Sequence, residues 1–266
     1  MIREPAVAGA FYPASAAELA AGVDRYLTAG DGATAPALGM VVPHAGYVYS
    51  GSVAGAAYAR VAVPPRVVVL GPNHTGLGFS RAALAPADWW RTPLGGVPRD
   101  EPMWTALSAI PGVAPDAAAH AREHSLEVQL PFLQRLRPDL TLAALCLAHL
   151  SYANCERLAA AVAAAARDAS ALLVASSDMS HYLPAAQARA ADHRALEPLL
   201  ALDAEGLYRR VHEEEISMCG IIPAVVMLLA ARALGARSAE LVRYAHSGEV
   251  SGDDDRVVGY AGVVVR

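Results

Sequence analysis

Short apolar runs alternate with longer alanine-rich stretches along this chain, and that rhythm limits the fold it can adopt. The apolar runs stand at Leu38–Val42, Arg66–Leu70, Thr141–Cys146, Ala171–Ala175, Ala239–Tyr244 and Val257–Val265. Helical patterning covers Ser15–Thr28, Gly51–Val61, Glu101–Ala109, Leu126–Arg137, Cys155–Ala169, Ala185–Ala201, Asp203–Glu214 and Cys219–Leu234. Strands that are apolar nearly throughout are buried on both faces, and helices between them supply the cover. The pattern predicts an α/β fold with a central, mostly parallel or mixed β-sheet flanked by helices. No Pro/Gly/Ser-rich linker and no internal repeat divides the chain, so residues 1–266 read as one domain.

Local signals refine the helices. Ser15 with Glu18 forms a capping-box pattern, and Asn154 is placed to cap the helix that follows. The last helix carries Ile221, Ile222, Val225, Val226, Leu228 and Leu229 around its circumference, so it is expected to be buried.

Composition removes several chemistries. All 21 basic residues are arginine, and there is no lysine. That excludes a P-loop lysine, a Schiff-base lysine and a kinase ATP lysine. The formal net charge of −5 gives no basic face for nucleic acid. The opening Met1-Ile2-Arg3-Glu4-Pro5 does not read as a signal peptide. The uncharged stretch Gly32–Ala59 is broken by Pro36, Pro43 and five glycines, so no membrane span is expected. A cytoplasmic protein is the expectation. Three cysteines without CxxC spacing exclude a disulfide framework and a four-cysteine zinc site. Cys146 reads as a small core residue. Cys155 reads as incidental, in a polar turn.

Three of the apolar runs end alike. Val42 is followed by Pro43-His44-Ala45-Gly46-Tyr47, Leu70 by Gly71-Pro72-Asn73-His74, and Ala175 by Ser176-Ser177-Asp178-Met179-Ser180-His181. Ligands of open α/β sheets sit outside the carboxyl ends of the strands. Parallel neighbours would therefore bring His44, His74, Asp178 and His181 to one pocket. Two imidazoles suit Fe, Cu, Zn or Ni, and a third ligand is then required. Cys219 is the candidate, because it opens the last helix, where the dipole lowers a thiol pKa. The segment Arg122–Phe132 joins a loop to a helix. Its His124 and Glu127, three residues apart, suit either a supporting role at the pocket or simple helix-start electrostatics. His120, His149, His193, His212 and His246 have no local context that sets them apart.

These motifs, with Ala8–Pro13, Cys219-Gly220 and Ser247–Asp253, resemble the Memo-like family along essentially the whole chain. In bacteria and archaea that family carries the label AmmeMemoRadiSam system protein B. The resemblance implies a fold shared with class III extradiol ring-cleavage dioxygenases. It implies His44, His74 and Cys219 as metal ligands, with Fe(II) the expected ion and Cu or Zn the alternatives. It implies His181, with Asp178, as the acid/base pair. Phe11 and Tyr12 match an aromatic rim at the pocket mouth; together with His124 and Glu127 they are the expected substrate-binding residues. The label also implies radical-SAM system partners, although this chain has no CxxxCxxC of its own.

One departure from the dioxygenases bears on the chemistry. Their third ligand is a carboxylate, whereas Cys219 offers a softer, oxidisable thiolate. Two readings follow. One is a mononuclear metalloprotein with oxygenase- or redox-type activity on an unidentified small molecule. The other is a non-catalytic scaffold that holds a peptide or a metal ion in the same cleft. A cysteine hydrolase is weaker, for want of an orienting Asn/Asp pattern or a GxSxG elbow.

Overall fold

The computed structural model describes every residue except 29 and 31. The elements begin with β1 (Ile2–Arg3), α1 (Ala16–Thr28), β2 (Gly39–Val42), α2 (Tyr47–Ala59) and β3 (Arg66–Pro72). Next come β4 (Ala82–Leu84), β5 (Trp89–Thr92), β6 (Gly95–Pro98), α3 (Glu101–Ser108), β7 (Val113–Pro115) and α4 (Ala117–Ala121). A 3-10 turn (Glu127–Gln129) leads into α5 (Leu130–Leu136), β8 (Thr141–Leu147), α6 (Tyr152–Ala169), β9 (Leu172–Ser176) and β10 (His181–Leu183). The chain ends with α7 (Ala185–Leu200), α8 (Ala204–Glu213), α9 (Ile221–Ala233), β11 (Ala239–His246), α10 (Gly248–Ser251) and β12 (Val257–Val265).

A nine-stranded mixed sheet organises the molecule, in the order β10-β12-β2-β9-β3-β8-β4-β7, with β11 also paired to β12. Its centre, β2-β9-β3-β8, is parallel, and antiparallel strands flank it on both sides. Side chains alternate across a strand, so each central strand feeds two cores. Val68, Leu70, Leu173 and Ala175 face the layer of α6, α7, α8 and α9. Val67, Val69, Leu172 and Val174 face the opposite layer, with Leu19, Tyr58 and Phe132. Burial on both faces is why these strands read as unbroken apolar runs. The last helix, α9, is buried as its pattern predicts and packs against α6 and β9. At roughly 1.5–3 kcal/mol for each large aliphatic side chain buried, it is a main contributor to the core.

Several boundaries differ from expectation. Helix α2 starts at Tyr47, one turn before Gly51, because Gly46 ends the loop and Tyr47 N–H is taken by Phe11 O at 2.7 Å. The single helix expected over Leu126–Arg137 is a 3-10 turn followed by α5. Helix α6 starts at Tyr152, so Asn154 lies inside it and Cys155 is fully buried rather than in a polar turn. A small sheet, β1-β5-β6, packs its Trp90 and Val97 into the second core. Its strands of two to four residues are too short for period-two patterning to reveal. Among the described residues, no helix is long and apolar enough to cross a membrane.

Candidate metal centre

Strands β2, β9 and β3 lie side by side in one direction, so the loops at their carboxyl ends converge. The β2 loop brings His44, the β9 loop Asp178 and the β3 loop His74. Cys219 comes from a fourth segment, one residue ahead of the Gly220 that caps α9. The helix therefore begins at Ile221, slightly later than expected. Ligand atoms of His44, His74 and Cys219 lie within 4.8 Å of one another. Cys219 Sγ is 3.2 Å from His44 Nε2, and the His44 and His74 ring centroids are 5.0 Å apart.

Two glycines permit this approach. A Cβ on Gly220 would stand 2.3 Å from Ser176 O and 2.4 Å from Ser177 Cβ. Only glycine lets the start of α9 close on the end of β9, and that contact delivers Cys219. A Cβ on Gly71 would meet Ser125 Oγ at 2.5 Å, so β3 can lie against the segment that carries Glu123 and His124.

Hydrogen-bond accounting assigns the imidazole tautomers. Ser176 Oγ gives its one proton to Ser125 O at 2.7 Å and accepts from Gln129 Nε2 at 2.9 Å. Its 2.8 Å contact with His44 Nδ1 must then be accepted from the ring, so His44 Nδ1 carries the proton. His74 Nδ1 donates to Glu123 Oε1 at 2.9 Å, and His181 Nδ1 donates to Ser217 O at 2.8 Å. In the neutral ring each of these contacts leaves the lone pair on Nε2. A buried acceptor on Nδ1 with a free Nε2 is the usual preparation of an imidazole for a metal.

Burial governs the electrostatics. His44 is 2% exposed, and burial, helped by the imidazoles of His74, His124 and His181, holds its pKa well below the ordinary value. Asp178 accepts His44 N–H at 2.7 Å, yet burial outweighs the amides and pushes its carboxyl up to about 6. For Cys219 the sequence argument from the helix dipole fails. Burial and the Asp178 carboxylate push the thiol well above its ordinary value. Although Cys219 is only half-buried, the desolvation cost of a bare thiolate outweighs the dipole here. A cation held by these ligands would supply the charge that reverses that balance. The donor set of two neutral imidazoles and one thiol suits such an ion.

The other expected site residues divide. His181 is close enough to act electrostatically on His44 and Asp178, and its backbone N–H is held by Ser217 Oγ at 2.8 Å. Ser217 and Cys219 share one segment, so His181 is tied to the chain that carries the thiol. His124 stacks on His74 at 4.6 Å, and Phe11 lies 4.7 Å from the His124 ring. Tyr12 and Glu127 face elsewhere. Glu127 is fully buried, pairs with Arg3 at 2.6 Å, accepts the Ala6 and Val7 amides, and takes the Tyr12 hydroxyl at 2.5 Å. Those contacts fasten the N-terminal segment to the body, and they account for both carboxylate oxygens. His124 sits in a loop ahead of the 3-10 turn, so it shares no helix face with Glu127. Glu123, Ser176, Gln129 and Ser217 are the supporting residues that the sequence reading missed. Glu123 stood beside His124 in a segment already singled out, and that adjacency was the only signal.

The fold and this cluster define a class: an α/β protein with an imidazole–thiol pocket at the carboxyl ends of its parallel strands. A family profile described as Memo-like protein matches residues 3–264. A MEMO1 family protein of Aquifex aeolicus is 40% identical over 264 residues, covering 99% of this chain and 98% of its own. MEMO1 family protein MK0963 of Methanopyrus kandleri is 42% identical over 284 residues, covering 100% and 99%. The chain belongs to the Memo-like family. A solved structure titled uncharacterized protein JW3007 from Escherichia coli K12 aligns with TM-score 0.46 and 17% identity, over 75% of this chain and 86% of that one.

Proposed function

We propose that this chain is a mononuclear metalloprotein that holds Fe(II) or Cu through His44, His74 and Cys219, with oxygenase- or redox-type activity on a small molecule. The observation that carries the reading is the convergence of three ligand atoms within 4.8 Å, with both imidazoles already in the ligating tautomer. The ion, when bound, supplies Lewis acidity and access to electron transfer. The chain's own residues supply the rest. Ser176 and Glu123 orient the two imidazoles, and Asp178 fixes the β2 loop through His44 N–H. His181 presents Nε2 as the proton acceptor, and Ser217 keeps that ring from turning. The fold kinship with class III extradiol dioxygenases, radical-SAM system partners and a cytoplasmic location belong to the same proposal.

Metal analysis of protein purified without an affinity tag tests it. Wild type should carry close to one equivalent of Fe, Cu or Zn, and His44→Ala and Cys219→Ser should lose it. Equal, trace metal in all three overturns the reading. Oxygen uptake with catechols and other phenols then separates enzyme from scaffold. Substrate-dependent uptake that disappears in His181→Ala supports turnover. Binding without uptake leaves a non-catalytic peptide- or metal-binding scaffold.

A further inference from the structure

A groove that shares no residue with the ligand cluster opens between the end of α3, the turn into β7 and α6. Its volume is about 870 Å³. Val113, Leu150 and Leu158 line it and are buried members of the first core, and Ile110 packs beside them. Phe79 stands at the rim with 79% of its surface exposed. Its loop is nevertheless pinned, because Asp116 accepts the Phe79 N–H at 2.6 Å and the Ser80 N–H at 3.0 Å. Arg81 and Arg157 are the only ionisable residues in the lining. Neither is paired with a carboxylate among the described residues. Arg81 reaches His149 O at 3.4 Å, and Arg157 bonds the Asn154 side chain. Those partners flank the start of α6, so positive charge gathers at one end of an apolar groove, in a chain whose formal net charge is −5.

We propose that this groove binds a small apolar carboxylate, a medium-chain acyl anion, with its carboxylate at Arg81 and Arg157 and its tail along α6. Charge complementarity selects the anion: two guanidiniums face the groove and no acidic side chain does. A guanidinium fork matches the two oxygens of a carboxylate. The apolar lining selects the tail, and a volume within roughly 300–1,000 Å³ is that of a small-molecule site. Along α6 the lining runs from Asn154 to Ala161, about 10 Å of helix, which an extended eight-carbon tail spans. The bound tail covers the Phe79 ring. A peptide strand fits less well. The edge strand β7 has three residues and ends in Pro115, which has no N–H to offer a ladder. The proposal stands apart from the metal reading, since none of His44, His74 and Cys219 lines the groove.

Octanoate is the probe, with octanamide as its uncharged isostere, both titrated calorimetrically into the full chain. Chelator in the buffer keeps a metal-bound carboxylate from contributing. Wild type should bind one equivalent of octanoate, and octanamide about tenfold more weakly. Arg81→Gln and Arg157→Gln should each weaken octanoate about 3–10-fold, and the double variant should bind the two probes alike. Both arginines are exposed, so these variants should fold as wild type does. Ala161→Trp fills the groove from α6 without removing a core side chain, and it should abolish binding of both probes. Four results overturn the proposal: no binding of millimolar octanoate to wild type, equal affinity for octanamide, wild-type affinity in the double arginine variant, or undiminished binding in Ala161→Trp, which would place octanoate elsewhere. A dimer that Ala161→Trp breaks and octanoate does not would assign the groove to a second copy of the chain and overturn it as well.

Discussion

Glu123→Gln isolates the residue on which the orientation of His74 depends. Glu123 is fully buried, and every group that meets it at hydrogen-bond distance is a donor. Oε2 accepts His74 N–H at 2.6 Å, while Oε1 accepts Ser125 N–H and His74 Nδ1–H, both at 2.9 Å. Burial works against its charge, but the His74 ring and the Ser125 amide hold its pKa down at about 2, so it is a carboxylate at neutral pH. Glutamine has nearly the same shape but only one oxygen. Its NH2 must face at least one buried donor, leaving that donor without an acceptor. Such a loss costs about 1–3 kcal/mol. In a chain of this size about 2 kcal/mol lowers Tm by roughly 4–8 °C. The same change removes the anchor of the His74 tautomer, so Zn(II) affinity should fall about 10–100-fold, as for other carboxylates behind a ligating imidazole. Thermal melts in chelator measure the first effect, and competition against a chromophoric chelator measures the second. Wild-type affinity with a lowered Tm refutes the orienting role. Wild-type Tm refutes the claim that these donors depend on Glu123.

Three further outcomes follow from the same contacts. Glu127→Ala breaks the buried pair with Arg3 and should cost about 3–5 kcal/mol, while metal stoichiometry at low temperature stays at that of wild type; loss of metal in the folded variant would restore Glu127 to the site. Gly220→Ala sets a Cβ against Ser176 O, so melts should show destabilisation of at least about 1–3 kcal/mol together with weaker metal binding; a variant matching wild type in both removes the close approach as the cause of Cys219's position. Burial lowers the pKa of His120 to about 4, against 6.5 when unfolded, so its neutral form stabilises the fold fully above pH 6.5 and that contribution is lost as pH falls toward 4. The loss amounts to roughly 3 kcal/mol, and His120→Gln should flatten denaturation midpoints over that window by a corresponding amount; an unchanged slope rules this out.

What the sequence disclosed, and what it hid, follows from the range of the interactions. That the loops after β2, β9 and β3 could meet was within reach because these strands read as apolar nearly throughout, and each ends in a Pro- or Ser-containing loop with a histidine. The neighbours of those histidines were not. Arg3 and Glu127 are 124 residues apart, so nothing local marks Glu127 as the partner of the N-terminal segment. A spacing of three residues suggested instead that it acts with His124. Glu123 lay unremarked next to His124 because an acidic residue in a loop has no period to betray it. The thiol was misjudged for a related reason. A helix dipole can be inferred from position in sequence, whereas the desolvation that overrides it depends on packing from β9 and the Asp178 loop.

The same contacts decide how the chain, if it binds metal as proposed, should respond to losing it. In small metal-folded domains the ligands have no positions until the ion gathers them. Here each imidazole is already fixed by a protein acceptor: His44 by Ser176, His74 by Glu123 and His181 by Ser217. Cys219 is placed by the packing of α9 against β9 through Gly220. An ion would therefore meet a prepared site above two separate hydrophobic cores, and removing it would leave those cores intact. Chelation should leave the far-ultraviolet circular dichroism unchanged. Saturating metal should raise stability only by mass action, about 2.7 kcal/mol at a free concentration one hundred times Kd. That corresponds to a Tm rise of roughly 5–11 °C that grows with the logarithm of metal concentration. Cooperative unfolding on chelation at 25 °C would show that the ion, rather than Ser176, Glu123 and Gly220, holds the four segments together.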